Sequence, residues 1–483
     1  MMTKIKLYKH QKEGIKFLKK KKTAALLCEP GTGKTLMMIR RLEDLVDKGR
    51  VRRILIVSPI AVVPNWKQEL KTFWKNKDSI GAMVWEGTPT KRKDYPKLIK
   101  GQLKPTIVLI NYDKVRLDKK LLMKCGFDCI VCDESQKIMH RNSGQSRAIR
   151  SLGKKATYRY IMTGTPMSTG YENYWSQFLF MDDKVFGTRF QDFQDEYCQM
   201  GGFQGKQIVG YNNVKKLKRK IEKKSFIVRK EDCLDLPPVI ENKRYFELSP
   251  KARKAYKELD KELMTEVEGV DCLDIPFGAP DNIKETIDYI LGCIEQGYTI
   301  DKDGPQSDFL VLENALVKTM KLQQITGGFV KNTETEKTML IDKGKLNLLQ
   351  EVIESHPGEQ IVIFCKYRAE IDTIMKLYPK AVELSGKTKD KGIPVKQFQE
   401  GKAPIIVVQL KTGSAGINLT KGSVVIFYSW SASYIDMRQA RDRLDRIGQK
   451  NKINLYYLIA KDTIDESSLE VLKEREKMSK KIL

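Results

Sequence analysis

The apolar positions of the chain fall into two sets of short, nearly continuous runs separated by amphipathic stretches. In the first 235 residues the runs are "TAALLC" (23–28), "RILIVSP" (53–59), "TIVLINY" (106–112), "CIVCDE" (129–134) and "YIMTGT" (160–165). Runs that are apolar throughout read as strands covered on both faces, the signature of a parallel sheet. The stretches between them are long enough for crossover helices. The pattern stops near "LDLPP" (234–238), and from there to about 345 the chain is charged and mostly helical in pattern. Strands then resume at "QIVIFCK" (360–366), "AVELSG" (381–386), "IIVVQL" (405–410), "VVIFYSW" (424–430) and "INLYYLIA" (453–460). The expected fold is α/β: two doubly wound parallel-sheet lobes, at 1–235 and 346–483, with a helical insert and linker at 236–345.

Three segments of the first lobe carry candidate chemistry. "LLCEPGTGKTLMM" (26–38) follows a strand and opens a helix. Gly31 and Gly33 permit a tight turn that brings backbone N–H groups to a phosphate, and the helix N-terminus adds positive partial charge there. Lys34 can reach the β and γ phosphates, and the Thr35 hydroxyl can ligate Mg²⁺. The strict phosphate-loop pattern would have glycine at 28, where this chain has Cys28. "CIVCDESQ" ends a buried strand at Asp133-Glu134, so Asp133 is expected to hold Mg²⁺ and Glu134 to orient and polarise the attacking water. "MTGTPMS" (162–168) ends the next strand, where Thr163 and Thr165 could bond to the carboxylate strand. In the second lobe "QARDRLDRIGQ" (439–449) is either a solvated face or a pair of arginines aimed at a phosphate. Its glutamine, followed at four and seven by arginine, predicts one face of a helix.

Charge sharpens the choice of partner. The 483 residues carry a formal +27, spread unevenly: Glu258 to Asp308 holds fourteen acidic residues and three lysines, a net of −11, so the remainder carries +38. Such a remainder suits a polyanion. The basic run "VKKLKRKIEKK" (214–224) could add phosphate contacts or be a solvated helix, and the acidic segment could mimic nucleic-acid charge or be a solvated protrusion. The nine cysteines are scattered and odd in number, which argues against a disulfide framework. Cys125, Cys129 and Cys132 cluster, but Cys129 and Cys132 should face opposite sides of one strand and cannot easily share a metal. No run reaches transmembrane length and the N-terminus has no apolar signal core, so no membrane association is expected.

In their order these segments resemble the SWI/SNF-type, chromatin-remodeller-like ATPases of helicase superfamily two, whose lobes are RecA-like. "EPGTGKT" and "DESQ" look like motifs I and II, and "MTGTPMSTGYENYWSQFLFM" like motif III and its following helix. The resemblance implies that Pro30, Gly31, Thr32, Gly33, Lys34 and Thr35 cradle ATP. "LYKHQKEGIKFL" (7–18) looks like the glutamine motif, implying that Gln11 contacts adenine. "LIVSPIAVVPNWKQEL" (55–70) looks like motif Ia, with Ser58 and Pro59 facing DNA. "FIVRKEDCLDLPP" (226–238) looks like the lead-out of the first lobe. "IVIFCKYRAEID" (361–372) looks like motif IV. "LSGKT" (384–388) and "TGSAGINLT" (412–420) resemble the Gly-x-Thr turn and motif V, implying nucleic-acid contacts at Gly386, Thr388, Thr412 and Asn418 and a nucleotide contact at Gly416. "QARDRLDRIGQ" looks like motif VI, which implies that Gln439, Arg443 and Arg446 face the ATP, with arginine stabilising charge on the transferring phosphoryl group.

Three positions depart from the family pattern: Gln136 and Asp445 each replace a histidine, and "WSASY" (430–434) replaces Trp-Asn-Pro. The resemblance implies that the two histidines couple nucleotide state to nucleic-acid binding, so hydrolysis is expected to survive the changes at Gln136 and Asp445. The resemblance implies a stripped bacterial or bacteriophage motor, acting as a monomer in the cytoplasm and using ATP and Mg²⁺ to move along double-stranded DNA. Three alternatives remain: a helicase that separates DNA or RNA strands, a non-enzymatic clamp, and a phosphate-loop kinase.

Overall fold

Every apolar run singled out above is a parallel strand, and two compact units result: Met1–Met200 with Ile208–Asp235 and Met478–Leu483, and Gly201–Gln207 with Leu236–Lys477. The computed structural model describes residues 6–201, 207–233, 236–268, 317–331, 338–413, 417–431, 433–446 and 448–482. Gly416 and the acidic segment beyond residue 268 lie outside them. Among the described residues no helix is long and apolar enough to cross a membrane.

The first sheet is built from β1 (Thr23–Cys28), β2 (Arg53–Ser58), β3 (Gly81–Val84), β4 (Thr106–Asn111), β5 (Cys129–Asp133), β6 (Tyr158–Thr163) and β9 (Ser225–Val228). Their order is β3-β4-β2-β5-β6-β1-β9, all parallel. A short hairpin, β7 (Cys198–Gly201) and β8 (Gln207–Tyr211), lies outside the sheet. Alternate side chains of each strand feed two cores on the two faces. Leu55, Val57, Ile130 and Cys132 pack in one, Ile54, Ile56, Cys129 and Val131 in the other. Cys129 and Cys132 therefore sit on opposite faces, as thiols in apolar packing.

The strand order sets the site. Because β6 lies between β1 and β5, the carboxyl ends of these three strands stand side by side, with Leu27 opposite Thr163 and Asp133 opposite Met162. The loops that follow them are the phosphate loop, "DESQ" and "TGTPMS". In open parallel sheets this edge is where ligands gather.

The second sheet contains β10 (Val239–Phe246), β13 (Ile361–Cys365), β14 (Val382–Leu384), β15 (Ile405–Gln409), β16 (Val424–Phe427) and β17 (Ile453–Ala460), in the parallel order β10-β17-β16-β13-β15-β14. A hairpin of β11 (Phe329–Lys331) and β12 (Thr338–Leu340) accompanies it. Two of these findings correct the expectation of a mostly helical segment from 236. β10 pairs with β17 over eight residues, from Val239–Ile453 to Phe246–Ala460, and so belongs to the second sheet. Its sequence, "VIENKRYF", looked helical because it is an edge strand whose outward residues are charged. One of them, Glu241, is held by Arg441 at 2.8 Å. The helix Pro250–Glu268 and helical residues 317–326 supply the helical part of the segment.

A polar belt closes the amino ends of β13, β16 and β17. Ser423 donates to Glu359 Oε2 at 2.6 Å, His356 Nδ1 lies 3.2 Å from Glu359 Oε1, and His356 Nε2 lies 2.8 Å from the Tyr456 hydroxyl. The Ser423 hydrogen bond, then the His356 contact, hold the Glu359 carboxyl below its ordinary value. A folded-state pKa below the unfolded one gives stability that is present at neutral pH and lost as pH falls through the folded value. Ser423→Ala is therefore expected to melt below the parent protein at neutral pH, with the gap narrowing in acid. Thermal melts from about pH 7 to about pH 3 check this, the range being set by the ordinary carboxylate value. A gap independent of pH would refute it.

Candidate active site

The phosphate loop is shaped by two glycines with left-handed backbone, Gly31 (φ 87°) and Gly33 (φ 86°). Gly33 also has no room for a side chain, since a Cβ there would lie 2.2 Å from Gln11 Nε2. Helix Lys34–Asp47 starts at once, presenting its free N–H groups to the loop. Lys34 Nζ donates to the Cys28 carbonyl at 2.6 Å, so its ammonium already lies over the loop. Cys28 itself is the buried last residue of β1, and its thiol donates to the Phe226 carbonyl at 3.4 Å. An extended strand residue does not need glycine, which is why the departure at 28 is tolerated.

Both ends of the Gln11 amide are engaged, one of them by this loop. Its Oε1 accepts from Tyr8 N at 3.1 Å and its Nε2 donates to the Thr32 carbonyl at 3.4 Å. His10 Nε2 lies 2.8 Å from the same carbonyl. Thr32 is fully buried and donates its hydroxyl to the Glu29 carbonyl at 2.7 Å. Gln11 and Thr32 thus set the shape of the loop, while Pro30, Gly31, Lys34 and Thr35 are half-exposed along it.

Beside the loop, Asp133 accepts from Trp66 Nε1 at 2.8 Å and from Glu134 N at 2.9 Å. Burial first, and then the neighbouring Glu134 charge, push the Asp133 carboxyl up to about 7. Such a group calls for a cation. Among the described residues no three His, Cys, Asp or Glu side chains are placed to hold a metal alone. Asp133 and Thr35 offer oxygen ligands of the kind that a divalent cation bound together with phosphate oxygens and water would take, and the loop suits a nucleoside triphosphate.

Glu134 has a left-handed backbone (φ 50°, ψ 55°), a conformation that costs a non-glycine residue roughly 1–2 kcal/mol. What holds it there is a chain of hydrogen bonds through the position where the family has histidine. Gln136 Nε2 donates to Glu134 Oε2 at 2.7 Å, Thr163 Oγ1 donates to Gln136 Oε1 at 2.6 Å, and Thr165 N donates to Thr163 Oγ1 at 2.9 Å. Glutamine offers one donor and one acceptor at once. The bond between the carboxylate strand and Thr163, expected from the sequence, is made through Gln136.

In the second unit the residues expected to touch nucleotide or nucleic acid form two groups. Gly386 N donates to Gln409 Oε1 at 3.2 Å, and Thr388 closes the same turn by accepting from Ser385 N at 2.9 Å. Thr412 is buried in the short helix Leu410–Gly413 that follows β15. Asn418 is apart from these: it is exposed, and with Leu419 it adjoins "QARDRLDRIGQ", where Leu419 N donates to the Arg443 carbonyl at 3.0 Å and Arg446 Nη1 to the Ile417 carbonyl at 3.4 Å. Burial lowers the Arg446 guanidinium below its ordinary pKa.

The helical spacing argument for this motif needs correction. The helix is Tyr434–Arg441, so Gln439 lies on it, but Arg443 and Arg446 lie in the turns after it. Leu444 is buried in the second-unit core and Arg441 is tied to Glu241 and Glu476, and these anchors unwind the chain beyond Asp442. In the first unit Ser58 is buried and donates to the Pro59 carbonyl at 3.4 Å, leaving Pro59 half-exposed and Ile60 exposed at the end of β2. The basic run 214–224 is a helix that buries Leu217 and Ile221 and spends part of its charge inside the unit. Lys220 lies 3.7 Å from Glu196, and Lys224 bonds to Asp182. Sequence reasoning gave no role to Trp66, although "NWKQE" placed it a short helix away from Ser58-Pro59.

Residues 10–289 match the SNF2-related domain. The chain belongs to the SNF2-related family. Residues 344–448 also match the helicase conserved C-terminal domain. The SNF2-related chain is similar, at 26% identity over 99% of its length and 42% of the other protein, to an "uncharacterized ATP-dependent helicase" of Mycoplasma pneumoniae. It is similar at 25% identity, over 96% of its length and 51% of the other, to the "ATP-dependent helicase fft1" of Schizosaccharomyces pombe. It thus spans about half the length of the curated relatives it matches. The helicase domain of Pyrococcus furiosus Hef shares the fold, with a TM-score of 0.54 and 16% identity over 96% of this chain and 97% of that one.

Thr163→Val keeps the shape of the side chain and removes both hydrogen bonds of its hydroxyl. It leaves Gln136 Oε1 and Thr165 N–H buried without their partner, a loss of about 1–3 kcal/mol. Urea unfolding should show the midpoint falling at constant slope. An unchanged midpoint would mean that the Thr163 bonds add nothing to stability.

Proposed function

We propose that the chain is an ATP-driven motor that moves along double-stranded DNA as a single chain inside the cell, with nucleotide held by the 1–235 lobe. The observation that carries this reading is the set assembled on adjacent strands of one sheet edge: the phosphate loop, the Asp133-Glu134 pair, and the Gln136–Thr163 chain between them. Family membership supports the second-lobe roles, and the +27 charge supports a polyanionic track.

In this reading the loop N–H groups and Lys34 hold the β and γ phosphates, and Gln11, packed on the loop, contacts adenine. Thr35 and Asp133 hold Mg²⁺, which when bound supplies positive charge at the phosphoryl oxygens. Glu134 orients the attacking water, and Gln136 fixes the carboxylate by engaging one of its oxygens. Gln439, Arg443 and Arg446 take the role of transition-state charge partners, and Gly416 that of a nucleotide contact. Ser58, Pro59, Gly386, Thr388, Thr412 and Asn418 contact the sugar-phosphate backbone, which makes binding salt-sensitive and indifferent to sequence. Residues 346–483 form the partner lobe and 236–345 the insert.

ATP hydrolysis measured with no nucleic acid, single-stranded DNA, duplex DNA and RNA tests the proposal. Strong stimulation by duplex DNA is expected, abolished by Glu134→Gln and lowered about 10³-fold by Arg446→Ala. Stimulation by single strands or RNA alone would instead favour the strand-separating helicase. Absence of hydrolysis under every condition would sink both.

A further inference from the structure

Helix Val63–Phe73, which follows β2, has no assigned part in the nucleotide site, yet one of its faces touches both residues given the Mg²⁺ role. Trp66 is fully buried, and its indole Nε1 donates to Asp133 Oδ2 at 2.8 Å. Three residues on, the Glu69 carboxyl lies within reach of the Thr35 hydroxyl, whose influence lowers a pKa that burial raises. Positions i and i+3 lie on one face of a helix, so the two contacts come from a single surface. The far end of the helix is fastened to the phosphate-loop helix. Arg40 Nη1 donates to the Phe73 carbonyl at 2.8 Å, and Lys75 N to Glu43 Oε1 at 2.6 Å.

The chemistry of the two contacts is complementary. A threonine hydroxyl has one hydrogen and two lone pairs. A carboxylate beside it, such as that of Glu69, is the acceptor that would take the hydrogen and leave the lone pairs to face a cation. A carboxylate has about four lone-pair directions. Trp66 Nε1 and Glu134 N occupy one on each oxygen of Asp133, which fixes its plane and leaves the others free.

We propose that Trp66 and Glu69 are positioning residues for the divalent cation: Trp66 aims the Asp133 carboxylate, and Glu69 aims the Thr35 hydroxyl. The inference rests on the nucleotide-site reading above. It adds that helix Val63–Phe73 is part of the metal site although neither residue touches the metal.

The test is a Mg²⁺ titration of the binding of a fluorescent ADP analogue, which needs no turnover. The proteins are wild type, Trp66→Phe, Glu69→Ala, Glu69→Gln and Trp74→Phe. The last is the control, since Trp74 ends the same helix and loses a comparable indole bond, to Ser79 at 3.2 Å. Trp66→Phe and Glu69→Ala should raise the half-saturating Mg²⁺ concentration about 10-fold, the usual effect of removing a group that orients a metal ligand. Glu69→Gln should recover part of this, because its carboxamide oxygen still accepts. Trp74→Phe should shift the melting temperature alone. An unchanged Mg²⁺ requirement in Trp66→Phe and both Glu69 variants, with wild type binding normally, overturns the inference and leaves the nucleotide site standing. Failure of the wild-type protein to bind nucleotide at any Mg²⁺ concentration overturns both.

Discussion

A carboxylate at the dry end of a central strand can stay useful only if its surroundings meet its oxygens. Asp133 is that carboxylate. It closes β5, flanked by β2 and β6, and water cannot solvate it. The indole of Trp66 and the backbone N–H of Glu134 meet its oxygens instead. The Tyr112 hydroxyl holds the carbonyl of the same residue at 2.7 Å. The three donors come from the helix after β2, from the residue next in the chain and from the start of the helix after β4, so separate parts of the unit converge on one residue. The phosphate loop is drawn to the same place because β6 brings β1 within two strand spacings of β5.

Much of this was legible in the amino-acid sequence, for physical reasons. All ten strands expected from continuous apolar runs are present, because a strand buried on both faces can hold little else. β3 and β9 were missed because they are the short, partly exposed edge strands of the first sheet, and β10 because an edge strand exposes charge in place of alternating apolar faces. The phosphate loop was legible at Gly31, Gly33 and Lys34 because backbone geometry allows few substitutes there. The strict pattern fails at Cys28, a buried strand residue that ends β1.

Tertiary packing accounts for what could not be read. Spacing alone put Gln439, Arg443 and Arg446 on one helix, but the buried Leu444 and the ion-paired Arg441 end it early. The bonds of Gln11 to Tyr8 and to the Thr32 carbonyl could not be read from the motif, because they depend on how the first helix packs on the loop. The departure at Gln136 could be seen but not interpreted, because only the positions of Glu134 and Thr163 reveal that a glutamine can bond to both. Trp66 and Glu69 carried a usable signal, an indole and a carboxylate three residues apart behind a strand end, but their partners lie at Asp133 and Thr35.

The left-handed backbone of Glu134 sets folding and chemistry against each other at a single residue. Glycine is the amino acid that would sit there without strain, and it would make the fold more stable while removing the carboxylate. Selection for stability alone would therefore drift this position away from glutamate. A stabilised variant obtained by random mutagenesis and screened only for heat resistance has, at residue 134, an inexpensive route to a well-folded protein that lacks this carboxylate.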